Sequence, residues 1–310
     1  MIVSDIRDQK NANAGIVAFG FFDSIHIGHQ AVIGRAVELA REYGVPASVF
    51  LFKNNIFPLI GIDKRPLYTF SERMGLIERL GVDRVFFVEA DLAFLSMSSE
   101  EFLDYLSDHL AIVGFTCGND FSFGKGALGA PCDLLARFGP ISDILSKWSI
   151  QEWWEPNEEF GDSSEEVSTD LVKRCLADGN LRKAYECLGR HFSVKRTVCS
   201  GRQDGAKIGF PTINFDLGDL PLKRGVYFTN VVLNGARLPA LTNVGGHPTF
   251  GDETENIETY ILDFYGDLYD REVEVEFLTY HREIRSFASE RELTLMIESD
   301  VRAREDYRHD

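Results

Sequence analysis

The chain has 310 residues, 44% of them apolar, and a formal net charge of -17. That length suggests about two domains, the apolar share excludes a disordered chain, and so acidic a surface repels nucleic acid and anionic membranes, so neither is expected as a partner. The first residues mix Asp5, Arg7, Asp8 and Lys10 without an apolar run, no stretch reaches a bilayer span, and the cysteines at 117, 132, 175, 187 and 199 form no C-x-x-C pair, which together lead us to expect a cytoplasmic chain with reduced thiols and no signal peptide, zinc site or disulfide frame.

The first half alternates strand and helix. Gly15 to Gly20 is a short apolar run, as a buried parallel strand requires. From Gln30, apolar residues at Val32, Ala36, Leu39, Ala40 and Tyr43 follow helical spacing, and Gly44-Val45-Pro46 stops the helix. Ala47 to Phe52 is the next strand. Thr69 with Glu72 predicts a capping box on a helix ending at Gly81. Arg84 to Val88 is a strand, Ser98 with Glu101 opens another helix, and Ile112 to Cys117 is another strand. Repeated β-α-β units predict a parallel sheet with helices on both faces.

The second half changes period. Gln151 to Asp170 holds eight acids and no Lys or Arg and reads as a solvated loop. A helix pair over Leu171 to Leu188 follows, and the domain change is set near Gly189, giving domains 1–188 and 189–310. Val226 to Leu233 and Arg237 to Val244 flank Asn234-Gly235, which predicts a type I′ hairpin. Ile257 to Phe264 is a strand, and Glu272 to Phe277 alternates Glu with apolar residues, so one face should be wet. Ser289 with Glu292 opens a last amphipathic helix running to about Tyr307. The expected form is a small antiparallel sheet or β-barrel with a terminal helix.

Three segments carry chemistry. Gly20-Phe21-Phe22-Asp23-Ser24-Ile25-His26-Ile27-Gly28-His29 lies where a strand ends and a helix begins, the place where open α/β sheets bind ligands and free helix N–H groups meet phosphate. His26 and His29 can stabilise charge on an α-phosphate, and Gly28 between them allows close approach of a ligand. The plain alternative is two histidines in a loop, which this strand-turn-helix setting disfavours. Asp120-Phe121-Ser122-Phe123-Gly124-Lys125-Gly126 reads equally as a nucleotide turn, with Asp120 and Lys125 as its contacts, or as a surface turn. Gly205-Ala206-Lys207-Ile208-Gly209-Phe210-Pro211-Thr212-Ile213-Asn214 is the sharpest pattern. Gly205, Gly209 and Pro211 shape a turn that presents backbone amides, and Lys207 within it carries a positive charge. Thr212 and Asn214 share one face of an extended segment and offer neutral oxygens that suit Mg²⁺, which favours oxygen ligands plus substrate phosphates. A Gly-Pro turn entering a strand is the bland reading of those residues.

These segments resemble the bacterial bifunctional riboflavin kinase/FAD synthetase family over nearly the whole chain. F-D-x-x-H-x-G-H and D-F-x-F-G-K-G resemble its adenylyltransferase half, and the Gly205–Asn214 decapeptide resembles the kinase signature G-R-x-L-G-F-P-T-A-N. Gly225-Val226-Tyr227 and Asn243 to Gly251 resemble further kinase segments, with His247 in place of Arg. Glu258-Thr259-Tyr260-Ile261-Leu262-Asp263-Phe264 resembles the strand of the catalytic glutamate. Arg282-Glu283 to Phe287 resembles the run before the last helix. The resemblance implies a Rossmann-like nucleotidyltransferase sheet followed by the kinase barrel. It implies riboflavin, FMN and ATP as ligands with Mg²⁺, Glu258 as base toward a ribityl hydroxyl, and His26 and His29 on ATP phosphates. Arg282 would pair with phosphate or stack on the flavin.

The adenylyltransferase pattern departs in three places. Phe21 stands where the family has Asn, Lys53-Asn54-Asn55-Ile56 stands where it has an acidic-Pro-His-Pro stretch, and Ser168-Thr169-Asp170-Leu171-Val172-Lys173 is the best match to its Ser-Ser-Thr-x-Ile-Arg segment. Three readings follow. The chain performs both steps with weakened adenylylation, or it is a kinase with a nucleotide-binding N-terminal domain, or it is a flavin carrier without turnover.

Overall fold

A computed structural model describes residues 1–147, 165–201, 204–247 and 252–307. The chain divides into two compact units, Met1–Thr169 and Asp170–Asp310. Among the described residues no helix is long and apolar enough to cross a membrane.

The first unit runs β1 (Ile2–Asp5), β2 (Ala12–Phe19), α1 (Ile27–Tyr43), β3 (Ala47–Phe52), α2 (Phe70–Glu78), β4 (Arg84–Val88), α3 (Leu92–Leu95), α4 (Ser99–His109), β5 (Leu110–Gly118), α5 (Pro131–Phe138) and β6 (Ser142–Leu145). Its strands form one parallel sheet in the order β1-β4-β3-β2-β5-β6. β2 and β3 are apolar on both sides because helices cover both. On one face Ile33, Ala36 and Val37 of α1 pack with Ile77 of α2; on the other Phe102, Leu103 and Leu106 of α4 pack with Leu134 of α5. Both expected capping boxes form, at Thr69/Glu72 and Ser98/Glu101, and Gly44 ends α1 in the left-handed conformation at φ 66°. Helix α1 starts at Ile27, three residues earlier than its apolar periodicity suggests, because His26 caps it. Gly15, at φ 63°, lies against the backbone of Pro46, where a Cβ would come within 2.1 Å of the Pro46 carbonyl oxygen.

The second unit starts inside helix α6 (Thr169–Asp178) and continues with α7 (Leu181–Leu188), β7 (Phe192–Thr197), α8 (Asp204–Lys207), β8 (Thr212–Asp216), β9 (Gly225–Leu233), β10 (Ala236–His247), β11 (Asp252–Ile261), β12 (Glu272–Arg282) and α9 (Glu290–Asp306). The units therefore part before the helix pair rather than after it, because α7 packs on β7 and β12. Thr169 and Asp170, read as the end of an acidic loop, are already helical; residues 148–164 of that stretch lie outside the described residues.

The antiparallel order is β7-β12-β9-β10-β11-β8. The sheet curls until its ends meet, where Cys199 beyond β7 donates its N–H to the Asn214 carbonyl of β8 at 2.9 Å. The Asn234-Gly235 hairpin forms with both residues at positive φ, 50° and 82°. Across its fully buried face run three hydroxyls, Thr229–Thr242 at 2.8 Å and Thr242–Thr259 at 2.9 Å. The other face takes α9, with Val301, Ala303 and Tyr307 against Val226, Phe228, Leu241 and Leu262. The expected wet face of β12 is only partly wet. Glu276 is buried because Arg237 forks onto it and Asn230 donates to it.

Candidate functional site

In the first unit the candidate histidines His26 and His29 stand past the carboxyl end of β2. The chain turns through Gly20 to Ile25 with Phe22 and Ile25 in the left-handed region, at φ 46° and 47°. That conformation costs on the order of 1–3 kcal/mol for a non-glycine residue and is held here because both side chains are buried in the core beneath α1. The turn delivers His26 as the N-cap of α1. Its Nδ1 accepts the His29 backbone N–H at 3.2 Å, which leaves Nε2 as the protonated ring nitrogen of a neutral His26. The two imidazoles stack at 3.7 Å, and the edge of Phe22 meets the His29 ring. Gly28 is required by this stack: a Cβ there would sit 3.2 Å from the His26 ring.

Two further residues hold the turn. Buried Asp23 accepts the backbone N–H groups of Leu67 at 2.7 Å and Tyr68 at 3.4 Å, tying the entry of α2 to the turn. Buried Ser24 shares a hydrogen bond of 3.0 Å with Thr169. The Ser168–Lys173 segment is thereby tied through Thr169 to the histidine turn.

The other departures have structural uses. Phe21 packs on Phe57 and Phe52 in an aromatic group past the ends of β2 and β3. Asn54 clamps Ala90 with two bonds, its amide donating to the carbonyl at 2.8 Å and its oxygen accepting the N–H at 2.9 Å. Lys53 pairs with Glu89 at 3.2 Å on the surface. Buried Arg73 donates to the carbonyls of Phe52 and Lys53 at the end of β3, and burial pulls its guanidinium below the usual arginine range.

The Asp120–Gly126 loop is mainly a packing element. Phe121 and Phe123 stack on each other and reach Phe19 and Phe102 in the core. Asp120 pairs with Lys147 at 3.8 Å, and Lys125 is exposed. Among the described residues no hydrogen bond or ion pair joins Asp120 or Lys125 to the histidine turn.

In the second unit the register of two strands gathers the site. β8 pairs with β11 so that Asn214 faces Glu258 and Thr212 faces Tyr260. Directly opposed antiparallel residues project on the same side, so Thr212, Asn214 and Glu258 share one face although 46 positions separate Thr212 from Glu258. Asn214 is buried, and its Nδ2 donates to the Thr212 carbonyl at 3.4 Å. Asn256, two residues before Glu258, donates from Nδ2 to Asn214 Oδ1 and to Glu258 Oε1, each at 3.3 Å. Gly201 lies against the Asn214 amide, where a Cβ would come within 2.3 Å. Sequence reasoning passed over Asn256 and Gly201, since neither sits in a motif and both act through non-local contacts.

The turn before β8 carries Lys207, Gly209 and Pro211. Gly209 adopts φ 92°, Lys207 and Pro211 are exposed, and Phe210 packs edge-on against Tyr260. Arg282 stands apart from the expected role. Its guanidinium forks onto buried Asp300 of α9 with contacts of 2.6 and 3.1 Å, and His281 Nε2 donates to the same carboxylate at 3.0 Å. The sequence placed Arg282 on phosphate or flavin; the structure uses it to fasten the terminal helix. Of the Asn243–Gly251 segment, the His247 side chain and Pro248 to Gly251 lie outside the described residues.

Two family profiles match this chain in the order of its units. FAD synthetase matches residues 8–144 and riboflavin kinase matches residues 188–307. The Escherichia coli K12 protein called bifunctional riboflavin kinase/FMN adenylyltransferase is 32% identical over 297 residues, covering 92% of this chain and 90% of its own length. The chain belongs to the bifunctional riboflavin kinase/FMN adenylyltransferase family.

A Pseudomonas fluorescens member of the family is also 32% identical, over 97% of this chain and 96% of its own length, and a Bacillus subtilis member is 29% identical. A solved structure titled macrolide-efflux protein from Streptococcus pneumoniae superposes with a TM-score of 0.80 at 23% identity, covering 99% of this chain and 100% of that one, a likeness of fold alone. Bifunctional family members are transferases acting in two-step flavin nucleotide synthesis, and a co-substrate ATP belongs to both family reactions.

Proposed function

We propose that the C-terminal unit phosphorylates riboflavin to FMN with ATP and that the N-terminal unit adenylylates FMN to FAD. The observation that carries this reading is the β8–β11 register, which sets two neutral oxygen ligands and one carboxylate on a single face of the curled sheet.

Among the described residues no group of three or more His, Cys, Asp or Glu is placed to hold a metal. A cation in the second unit would therefore rest on Thr212 and Asn214 together with substrate phosphates, the donor set that Mg²⁺ accepts. Buried Asn214, its oxygen held by Asn256 beside Glu258 on the same face, fits that use. When bound, Mg²⁺ neutralises phosphate charge. Glu258 accepts the proton of the attacking ribityl hydroxyl, and the Lys207–Pro211 turn lies against the triphosphate, where Lys207 supplies a point charge and Gly209 lets the backbone approach.

In the first unit His26 Nε2–H and the backbone N–H groups of Ile27 and Gly28 at the start of α1 donate to the phosphates of ATP. That stabilises charge on the α-phosphate as FMN attacks and pyrophosphate leaves. Asp120 and Lys125 are contacts for the nucleotide at the far side of β5. The three departures in this half make adenylylation the slower step.

One assay tests the reading. Protein incubated with riboflavin, ATP and Mg²⁺ is separated into riboflavin, FMN and FAD by chromatography. FMN should accumulate before FAD. No phosphorylated flavin at all would leave only the flavin-carrier reading, and FMN without FAD would leave the kinase alone.

A further inference from the structure

We propose that Asn256 is the positioning residue of the phosphoryl-transfer site: one side-chain amide orients both Asn214 and Glu258. The proposal rests on the reading of the second unit given above, in which those two groups are the cation ligand and the base.

Asn256 and Glu258 are alternate residues of β11 and project on one face, with Asn214 directly across from Glu258 on β8. An asparagine amide carries two N–H bonds. One points at Asn214 Oδ1 and the other at Glu258 Oε1, each at 3.3 Å. The first bond decides which end of the Asn214 amide faces Glu258. With Oδ1 turned to Asn256, Nδ2 is left for the Thr212 carbonyl at 3.4 Å. Gly201 closes the other side, since a Cβ there would collide with Asn214 Nδ2 and its carbonyl carbon at 2.3 and 2.4 Å. The Asn214 amide is thus fixed from both sides, and its oxygen keeps a second lone pair for a cation.

The second bond engages Oε1 of Glu258 and sets the orientation in which its carboxylate is presented. A glutamate side chain loses roughly 1.5–2 kcal/mol of rotamer freedom when it is held. A donor already in place lets that ordering occur before substrate arrives. The donor is neutral, so it directs two acceptors without adding charge to a site that must also receive a polyphosphate. Without it, Oδ1 and Oε1 lose the one donor they share, and the two acceptors are no longer oriented together.

The test is a cycle of N256A, N256D, E258Q and the double variant N256A/E258Q in the full chain. N256A and N256D should lower kcat for FMN formation by roughly 10–100-fold, the usual effect of losing a group that orients a ligand or base. N256D keeps the shape and removes the donor, so it must fall with N256A. At saturating Mg²⁺, where the cation arm no longer limits the rate, N256A in the E258Q background should cost less than about threefold more, because its remaining effect runs through Glu258. Manganese binding in the presence of ADP, followed by electron paramagnetic resonance, reads the other arm. It should weaken by about tenfold in N256A whether or not Glu258 is present. FAD formation from supplied FMN should be unchanged in all four, and the thermal transition that carries the kinase should stay at its wild-type temperature, which shows that the second unit is folded. N256A turning over like wild type while E258Q is inactive would overturn the proposal alone. Full multiplication of the two losses would make Asn256 a structural residue and overturn it as well. E258Q as active as wild type would remove the base reading, and the proposal with it.

Discussion

The histidine turn and the strand pair solve the same problem by different means. In the first unit the reactive groups lie within four residues, His26 to His29, and local geometry places them: two left-handed residues, a helix cap and a glycine under the imidazole stack. In the second unit Thr212, Asn214 and Glu258 come from strands distant in sequence, and only the β8–β11 register joins them. A local site tolerates change in the surrounding sheet but not in its own turn. A site made by register tolerates change in its turn but not in its pairing. The first unit shows what that permits, for Lys53 and Asn54 stand just past β3 beside an intact histidine pair and make contacts of their own.

The contrast can be broken most directly at the base. E258Q keeps the strand and removes the proton acceptor, so FMN formation should fall by roughly 10²–10⁴-fold while FAD formation from supplied FMN is unchanged. Equal loss of both activities would mean that the units do not work separately. H29A should cut FAD formation by roughly 10²–10³-fold, the effect of losing a donor on developing charge, and leave FMN formation intact; FAD formation at the wild-type rate would remove the histidine pair from the site.

A third variant tests fastening rather than chemistry. D300A strips the shared carboxyl from Arg282 and His281 under α9. Breaking such a buried pair costs roughly 3–5 kcal/mol. Thermal unfolding should show the loss in the transition that carries the kinase, with adenylylation surviving at temperatures where FMN formation has stopped. Coincident loss of both would show that the terminal helix supports the whole chain. The smallest effects are expected at the oxygens. T212A and N214A should each raise the Mg²⁺ needed for half-maximal FMN formation by about tenfold, since each removes one donor from a site with few protein ligands. An unchanged Mg²⁺ titration would take both out of the cation site.

How much could be read in the sequence follows the same division. The caps at Thr69 and Ser98, the Gly44 stop and the Asn234-Gly235 hairpin are local signals, and each appears where its residues place it. The histidine turn was legible for the same reason. The pairing of Asn214 with Glu258 was not, because period-two patterns assign a strand's faces but not its neighbour. Resemblance to a known family named those residues, but it gave no sign of Asn256, which lies in no motif. Arg282 was read from the resemblance of the run it opens, which gave no sign of its partner Asp300 on α9, 18 positions away. The short edge strands β1 and β6, four residues each, carry too few residues for a period to show.

The buried hydroxyls of Thr229, Thr242 and Thr259 bear on how this enzyme could be re-engineered. Thr259 is the immediate neighbour of Glu258, so the two point to opposite faces of β11. If β11 slid by one residue against β10, Thr259 would leave its partner Thr242 and Glu258 would be driven into the apolar interior. The three hydroxyls act as an alignment key: a lock that lies wholly inside the sheet determines which residue is presented outside it. Libraries aimed at new acceptor alcohols should therefore leave the three threonines alone and vary outer residues that neither pack under α9 nor share the face of Glu258 as its partners. Those that replace Thr242 or Thr259 with valine would scramble the active face without touching it.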